Sequence, residues 1–205
     1  MVYVFDNIEA FSSLDLDAAY KVVSQQRRDY ALKYHSEDSR KLSIIAYLLL
    51  KLGLKKEYGI TENVEFDFTD NGQPFLRDYP NIRFSLSHCK KGVACAIFDE
   101  AIGVDIERIN RENDALIRYT CNDNEVNAIQ ASPNSATAFI SLWTRKESYL
   151  KLKGTGIAGG LKDSLIKAAE EGVNFLTRVE EDKGYILSIC STHIPELIYC
   201  PELQL

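Results

Sequence analysis

Apolar positions along this chain fall into two periods, and the switches between them mark the elements. Val2 to Phe5 is a short apolar run that reads as a strand. Over 15–33, Leu16, Ala19, Tyr20 and Val23 share one face of a predicted helix. Leu42, Ile45, Ala46, Leu49, Leu50 and Leu52 repeat the helical spacing more strongly. They predict a helix over 36–55, with Ser36 as N-cap and Gly53 and Gly59 as its end. The period then drops to two. Val64, Phe66 and Phe68 alternate with polar residues, Asp70-Asn71-Gly72 makes a turn, and Arg83 to His88 alternates again. Val93 to Phe98 and Ile102 to Glu107 read as further strands.

The second half repeats the theme. Residues 112–131 read as helical with a break near Thr120, and Ala136 to Lys153 is a strong helix. Gly154, Gly156, Gly159 and Gly160 then interrupt the chain. Phe175 to Val179 and Tyr185 to Cys190 read as strands close enough for a hairpin. The expected fold is therefore α/β in the α+β sense. It has two similar lobes, residues 1–101 and 102–205, each a long helix on a mainly antiparallel sheet, related by a pseudo-twofold.

Composition narrows the function classes. A formal net charge of -6 argues against a nucleic-acid binder. No apolar run reaches membrane-spanning length, and Val2-Tyr3-Val4-Phe5 followed by Asp6 lacks the basic start of a secretory signal. The five cysteines are odd in number and scattered, as reduced thiols would be. A cytoplasmic protein is expected.

Two segments hold the candidate chemistry. On the strand Gly103-Val104-Asp105-Ile106-Glu107, alternation puts Ile102, Val104 and Ile106 on one face and Gly103, Asp105 and Glu107 on the other. Two neighbouring carboxylates repel unless a cation sits between them. Mg²⁺ suits them, because it takes hard oxygen ligands and completes its shell with water and phosphate. The glycine reads as room for a ligand to approach the backbone. An edge strand with two ordinary surface acids is the plainer alternative. On the helix, Trp143, Glu147 and Lys151 are successive i, i+4 neighbours. Glu147 is thus a third candidate carboxylate and Lys151 a candidate phosphate contact, against the alternative of a surface ion pair. Lys146, offset by about 100° around the helix, is a second candidate phosphate contact. Ser87-His88 ends a strand, and a phosphate contact suits it better than a hydrolase dyad, because adjacent strand residues face opposite sides.

These residues resemble the 4′-phosphopantetheinyl transferases of the surfactin-synthetase-activating type. The family signature is Gly-x-Asp-x-Glu followed about forty residues later by Trp-x-x-Lys-Glu-x-x-x-Lys, and both stand here intact. Weaker likenesses lie at Tyr34-His35 with Arg40, at Asn71-Gly72-Gln73-Pro74, at Phe84 to His88, and at Glu125. The resemblance implies transfer of the phosphopantetheine arm of coenzyme A, the co-substrate, to a serine of an apo acyl or peptidyl carrier protein. Adenosine 3′,5′-bisphosphate would be released. It implies Mg²⁺ on Asp105, Glu107 and Glu147, with Glu147, Lys151 and Glu125 as catalytic residues. Coenzyme A would be held by Arg40, Gln73, Pro74, Ser87, His88, Lys146 and Lys151. It also implies a monomer with no nucleic-acid or membrane partner. Gln73 stands where the family has lysine, and Ser85 where it has asparagine. Arg27, Arg28 and Lys33 are candidate replacements for lysines that the family carries before its early helix motif. A metal-dependent phosphohydrolase or nuclease, and a non-catalytic binder of carrier protein or coenzyme A, are the alternatives.

Overall fold

A computed structural model describes residues 1–109, 113–156 and 160–203. Gly159 and residue 112 of the sequence reading lie outside them. The first strand, β1 (Val2–Phe5), is the centre of a sheet, not its edge. It pairs antiparallel with β5 (Gly92–Phe98), which pairs with β4 (Arg83–Cys89). On its other side it pairs parallel with β9 (Leu197–Tyr199). The long helix α3 (Glu37–Tyr58) covers this sheet. Ser36 is its N-cap, accepting from the Ser39 N–H, and Gly59 ends it at φ 69°. Gly53 does not end it. It lies inside, where an added Cβ would meet Ile97 and Tyr3, so it is the point of closest approach between helix and sheet.

The predicted single helix over 15–33 is two helices, α1 (Ser13–Val22) and α2 (Gln25–Leu32). Ser24 separates them by capping α2 through the Arg27 N–H, a local bond that competes with helix continuation. The short hairpin β2 (Phe66–Phe68) and β3 (Pro74–Leu76) follows α3.

In the second half, β6 (Ile102–Arg108), β8 (Tyr185–Ser191) and β7 (Asn174–Glu180) form an antiparallel sheet in the order β6-β8-β7. The predicted 112–131 segment is α4 (Asp114–Thr120) and α5 (Asp123–Ala131), divided at Cys121 and Asn122. Helix α6 (Ser135–Lys153) packs on β6 and β8, and α7 (Ser164–Glu170) packs on α6. Among the described residues no helix is long and apolar enough to cross a membrane.

Gly103 sits where α6 crosses β6. A Cβ there would lie 1.8 Å from the Ser148 carbonyl oxygen. The space that the sequence suggested for a ligand is therefore filled by the α6 backbone.

Candidate active site

The site begins at a seam between the two larger sheets. Strand β6 pairs with β8 on one edge, while its other edge faces β4. There the backbone N–H groups of Val104 and Ile106 donate to Ser85 Oγ (3.1 Å) and Ser87 Oγ (3.3 Å). Side-chain hydroxyls thus stand in for a ladder. Ser87 in turn donates to Asp105 Oδ1 at 2.8 Å, and Lys151 Nζ from α6 donates to the same oxygen at 2.7 Å. Asp105 is only 2% exposed. The surface-acid alternative for this strand therefore does not describe it.

Asp105, Glu107, Glu147, Lys151, Ser87, His88, Pro74 and Trp143 all line one cleft of about 710 Å³. Arg27 and Tyr30 of α2, Lys33 and Tyr34 just after it, and Phe66 and Phe68 of β2 line the same cleft. The cleft thus joins the acids of β6 and α6 to a group of aromatic and basic side chains that also includes Asp29.

The acids are held under tension. Burial pushes the Glu107 carboxyl up to about 7, the neighbouring Asp105 charge adds to it, and Lys151 and a Trp143 hydrogen bond offset part of the rise. Glu147 is raised by burial first and by Asp105 second. His88, at the cleft rim, is lowered by desolvation and then by the Lys151 and Arg27 charges, which favours the neutral ring.

Two buried carboxylate oxygens, Asp105 Oδ2 and Glu147 Oε1, have no hydrogen-bond donor. Such atoms are costly to leave unpaired. Among the described residues no three acids, histidines or cysteines converge as a finished metal cage. The fit to a divalent cation rests on donor chemistry instead: three acids on one cleft, one raised to about 7, with two unpartnered oxygens. This is the hard-oxygen set that Mg²⁺ takes with part of its shell left to water or phosphate.

Other sequence-predicted residues lie elsewhere. Lys146 is fully buried, and its ammonium donates to Glu125 Oε2 (2.6 Å) and to the carbonyls of Thr120 (2.9 Å), Leu161 (2.9 Å) and Lys162 (3.1 Å). With every donor engaged, it is no phosphate contact. Glu125 is committed to that ammonium and to the capping box of α5, so it does not reach the cleft. Arg40 donates from Nε to the Tyr34 carbonyl at 2.8 Å and does not line the cleft. Gln73 points at α6, donating to the Lys151 carbonyl at 2.9 Å.

Arg27 supplies what Arg40 does not. Its guanidinium lies 5.1 Å from the Tyr30 ring centre and donates from Nε to the Ser43 carbonyl at 3.1 Å. Of the three candidate replacements in this region, Arg27 and Lys33 line the cleft and Arg28 does not. Phe66 and Phe68 carry a readable signal, since they share a strand face.

Comparison with known proteins bears on the same residues. The model of the 4′-phosphopantetheinyl transferase superfamily matches residues 101–197, a span that includes Asp105, Glu107, Glu147 and Lys151. A 4′-phosphopantetheinyl transferase of Bacillus subtilis is 26% identical over 192 residues, covering 86% of this chain and 85% of that protein. The 4′-phosphopantetheinyl transferase Sfp of Bacillus subtilis strain 168 is 23% identical over 186 residues, with 83% of each chain covered. The 4′-phosphopantetheinyl transferase gsp of Aneurinibacillus migulanus is 32% identical over 138 residues, covering 66% of this chain and 57% of that one.

Proposed function

The chain belongs to the 4′-phosphopantetheinyl transferase superfamily, in the surfactin-activating group, and from that premise we propose how it works on coenzyme A and an apo carrier protein. The serine hydroxyl oxygen of the carrier attacks the phosphorus that bears the pantetheine arm. The pyrophosphate bond to that phosphorus breaks, and adenosine 3′,5′-bisphosphate leaves. The observation that carries this reading is the gathering of Asp105, Glu107, Glu147 and Lys151 on one cleft, with two carboxylate oxygens lacking donors.

Each residue has a role that its surroundings support. Glu147, on the cleft wall beside Asp105 and Lys151, takes the serine proton, directly or through a bound water. Lys151 leans on Asp105 and carries the positive charge that steadies the departing phosphate. Ser87 holds Asp105 in place. His88, Arg27 and Lys33 face the nucleotide portion of coenzyme A, and Phe66, Phe68 and Tyr30 offer it aromatic surface. Asp105, Glu107 and Glu147 would hold Mg²⁺, which when bound supplies charge neutralisation for the pyrophosphate.

The architecture is read as two lobes, 1–101 and 102–205, related by a pseudo-twofold. Helix α3 on the first sheet corresponds to α6 on the second, and β9 returns from the second half to the first sheet. The same reading takes the protein as a cytoplasmic monomer.

The test is intact mass spectrometry of an apo carrier protein incubated with coenzyme A, Mg²⁺ and this protein. The carrier is expected to gain one phosphopantetheine, and both EDTA and Asp105→Ala are expected to abolish the gain. Undiminished transfer in either arm sinks the metal assignment. No gain on acyl or peptidyl carriers sinks the proposed reaction.

A further inference from the structure

The turn between β2 and β3 is closed three times over. Gly72 N–H donates to the Thr69 carbonyl (2.8 Å), Thr69 N–H to the Gln73 carbonyl (3.0 Å), and Gln73 N–H to Thr69 Oγ1 (3.1 Å). From this fixed base the Gln73 side chain crosses to α6, 78 positions away in sequence, and donates to the Lys151 carbonyl at 2.9 Å. That carbonyl lies in the last turn of α6, where it also accepts from the Gly154 N–H at 3.2 Å. Gly154 caps the helix at φ 66°. A Cβ there would lie 2.1 Å from Gln73 Oε1, so the glycine both ends the helix and seats the amide.

Lys151 is therefore held at two points. Gln73 fixes its backbone and Asp105 fixes its ammonium. One turn back on the same helix stands Glu147. Gln73 itself borders a smaller pocket of about 230 Å³ beside the main cleft, without lining the cleft.

We propose that Gln73 is a positioning residue: it clamps the end of α6 to the hairpin so that Lys151 and Glu147 face Asp105, and it takes no part in gripping coenzyme A. The kinetic half of this rests on the transferase reading above. The amide suits the task because its N–H reaches the Lys151 carbonyl from a fixed turn. A hydrocarbon of similar reach keeps the packing and loses the donor.

The test compares Gln73→Met and Gln73→Lys with the unmodified protein. Transfer to an apo carrier is followed at varied coenzyme A, and amide hydrogen exchange is followed at Gly154 and Thr155. In Gln73→Met, kcat is expected to fall about fivefold, the worth of one net hydrogen bond, while KM for coenzyme A stays within about twofold. Exchange at Gly154 and Thr155 should speed up by a similar factor. Gln73→Lys keeps a donor and should restore kcat with KM unchanged. A raised KM at constant kcat in the methionine variant, or a lowered KM in the lysine variant, overturns the proposal in favour of a coenzyme A contact. Unchanged exchange in the methionine variant overturns the clamp. If the unmodified protein modifies no carrier, the transferase reading falls and takes the kinetic half with it, while the exchange rates still decide the clamp.

Discussion

Glu107→Gln is expected to make the protein more stable above pH 7 and to change little near pH 4.5. The carboxyl moves from its usual 4.5 to about 7 on folding, mainly through burial and then through Asp105. An acid with a raised value favours the folded state while protonated. Below pH 4.5 it is protonated in both states and contributes no penalty. Between 4.5 and 7 the unfolded chain releases the proton and the folded chain keeps it, so stability falls as pH rises. Above 7 the deficit is constant. At about 1.4 kcal/mol per pH unit the ceiling is on the order of 3 kcal/mol. Solvent at the open side of the cleft trims it to roughly 2 kcal/mol.

Glutamine has the same shape and no charge to desolvate, so it removes that deficit. For a chain of this size about 2 kcal/mol corresponds to roughly 4–8 °C in Tm. The assay is thermal denaturation followed by circular dichroism in EDTA, at pH 5 and pH 8. The variant should melt higher at pH 8, with most of the gap gone at pH 5. Adding Mg²⁺ at pH 8 should raise the wild-type Tm and narrow the gap, because a cation on these acids removes the same repulsion. A gap that is equal at both pH values, or a variant that melts lower at pH 8, refutes the electrostatic account of this cleft.

Two substitutions outside the acids test the frame that carries them. Lys146→Met removes a fully buried ammonium that donates to Glu125 and to three carbonyls, and leaves the Glu125 charge without its counter-ion. It should cost about 3–5 kcal/mol by urea denaturation, and a loss under 1 kcal/mol would contradict the structural role. Gly103→Ala drives a methyl against the Ser148 carbonyl oxygen and the Leu152 nitrogen. Both are backbone atoms, so β6 and α6 must part, at about 3 kcal/mol or more. A wild-type urea midpoint would show that the packing at this crossing is not as close as described.

The sequence reveals those parts of the fold that carry their own period. Helices α3 and α6 run 22 and 19 residues, long enough for apolar spacing to repeat. Their caps at Ser36 and Gly59 follow from residue type. The division of α1 from α2 does not show, because one serine side chain captures an N–H that the helix would otherwise use. Strand β9 does not show either. It is three residues long, and its partner β1 lies at the opposite end of the chain, so no local pattern encodes it. Within the site, the i, i+4 file of Trp143, Glu147 and Lys151 correctly gives the cleft-facing side of α6. Lys146 misleads because α6 is covered on more than one side. A polar residue turned from the cleft reads as solvent-facing, and here it enters a second interior lined by Thr120, Glu125 and Leu161.

That second interior helps to explain why the file of Trp143, Glu147 and Lys151 holds its place. Helix α6 is pinned to β6 by the Gly103 crossing, to the α4–α5 region by the buried Lys146, and to the hairpin by Gln73. Strand β6 is pinned to β4 by Ser85 and Ser87, whose hydroxyls occupy N–H groups on an otherwise unpaired edge. Asp105 lies where the two restraints meet, with Ser87 from one half and Lys151 from the other on the same oxygen. Neither half alone supplies that oxygen with both donors. Asp105 is therefore kept buried beside two further carboxylates, at a stability cost concentrated in Glu107. A looser seam would let Glu107 and Glu147 swing to water and regain ordinary carboxylate behaviour, and the orphaned oxygens of Asp105 and Glu147 would no longer face the same cleft.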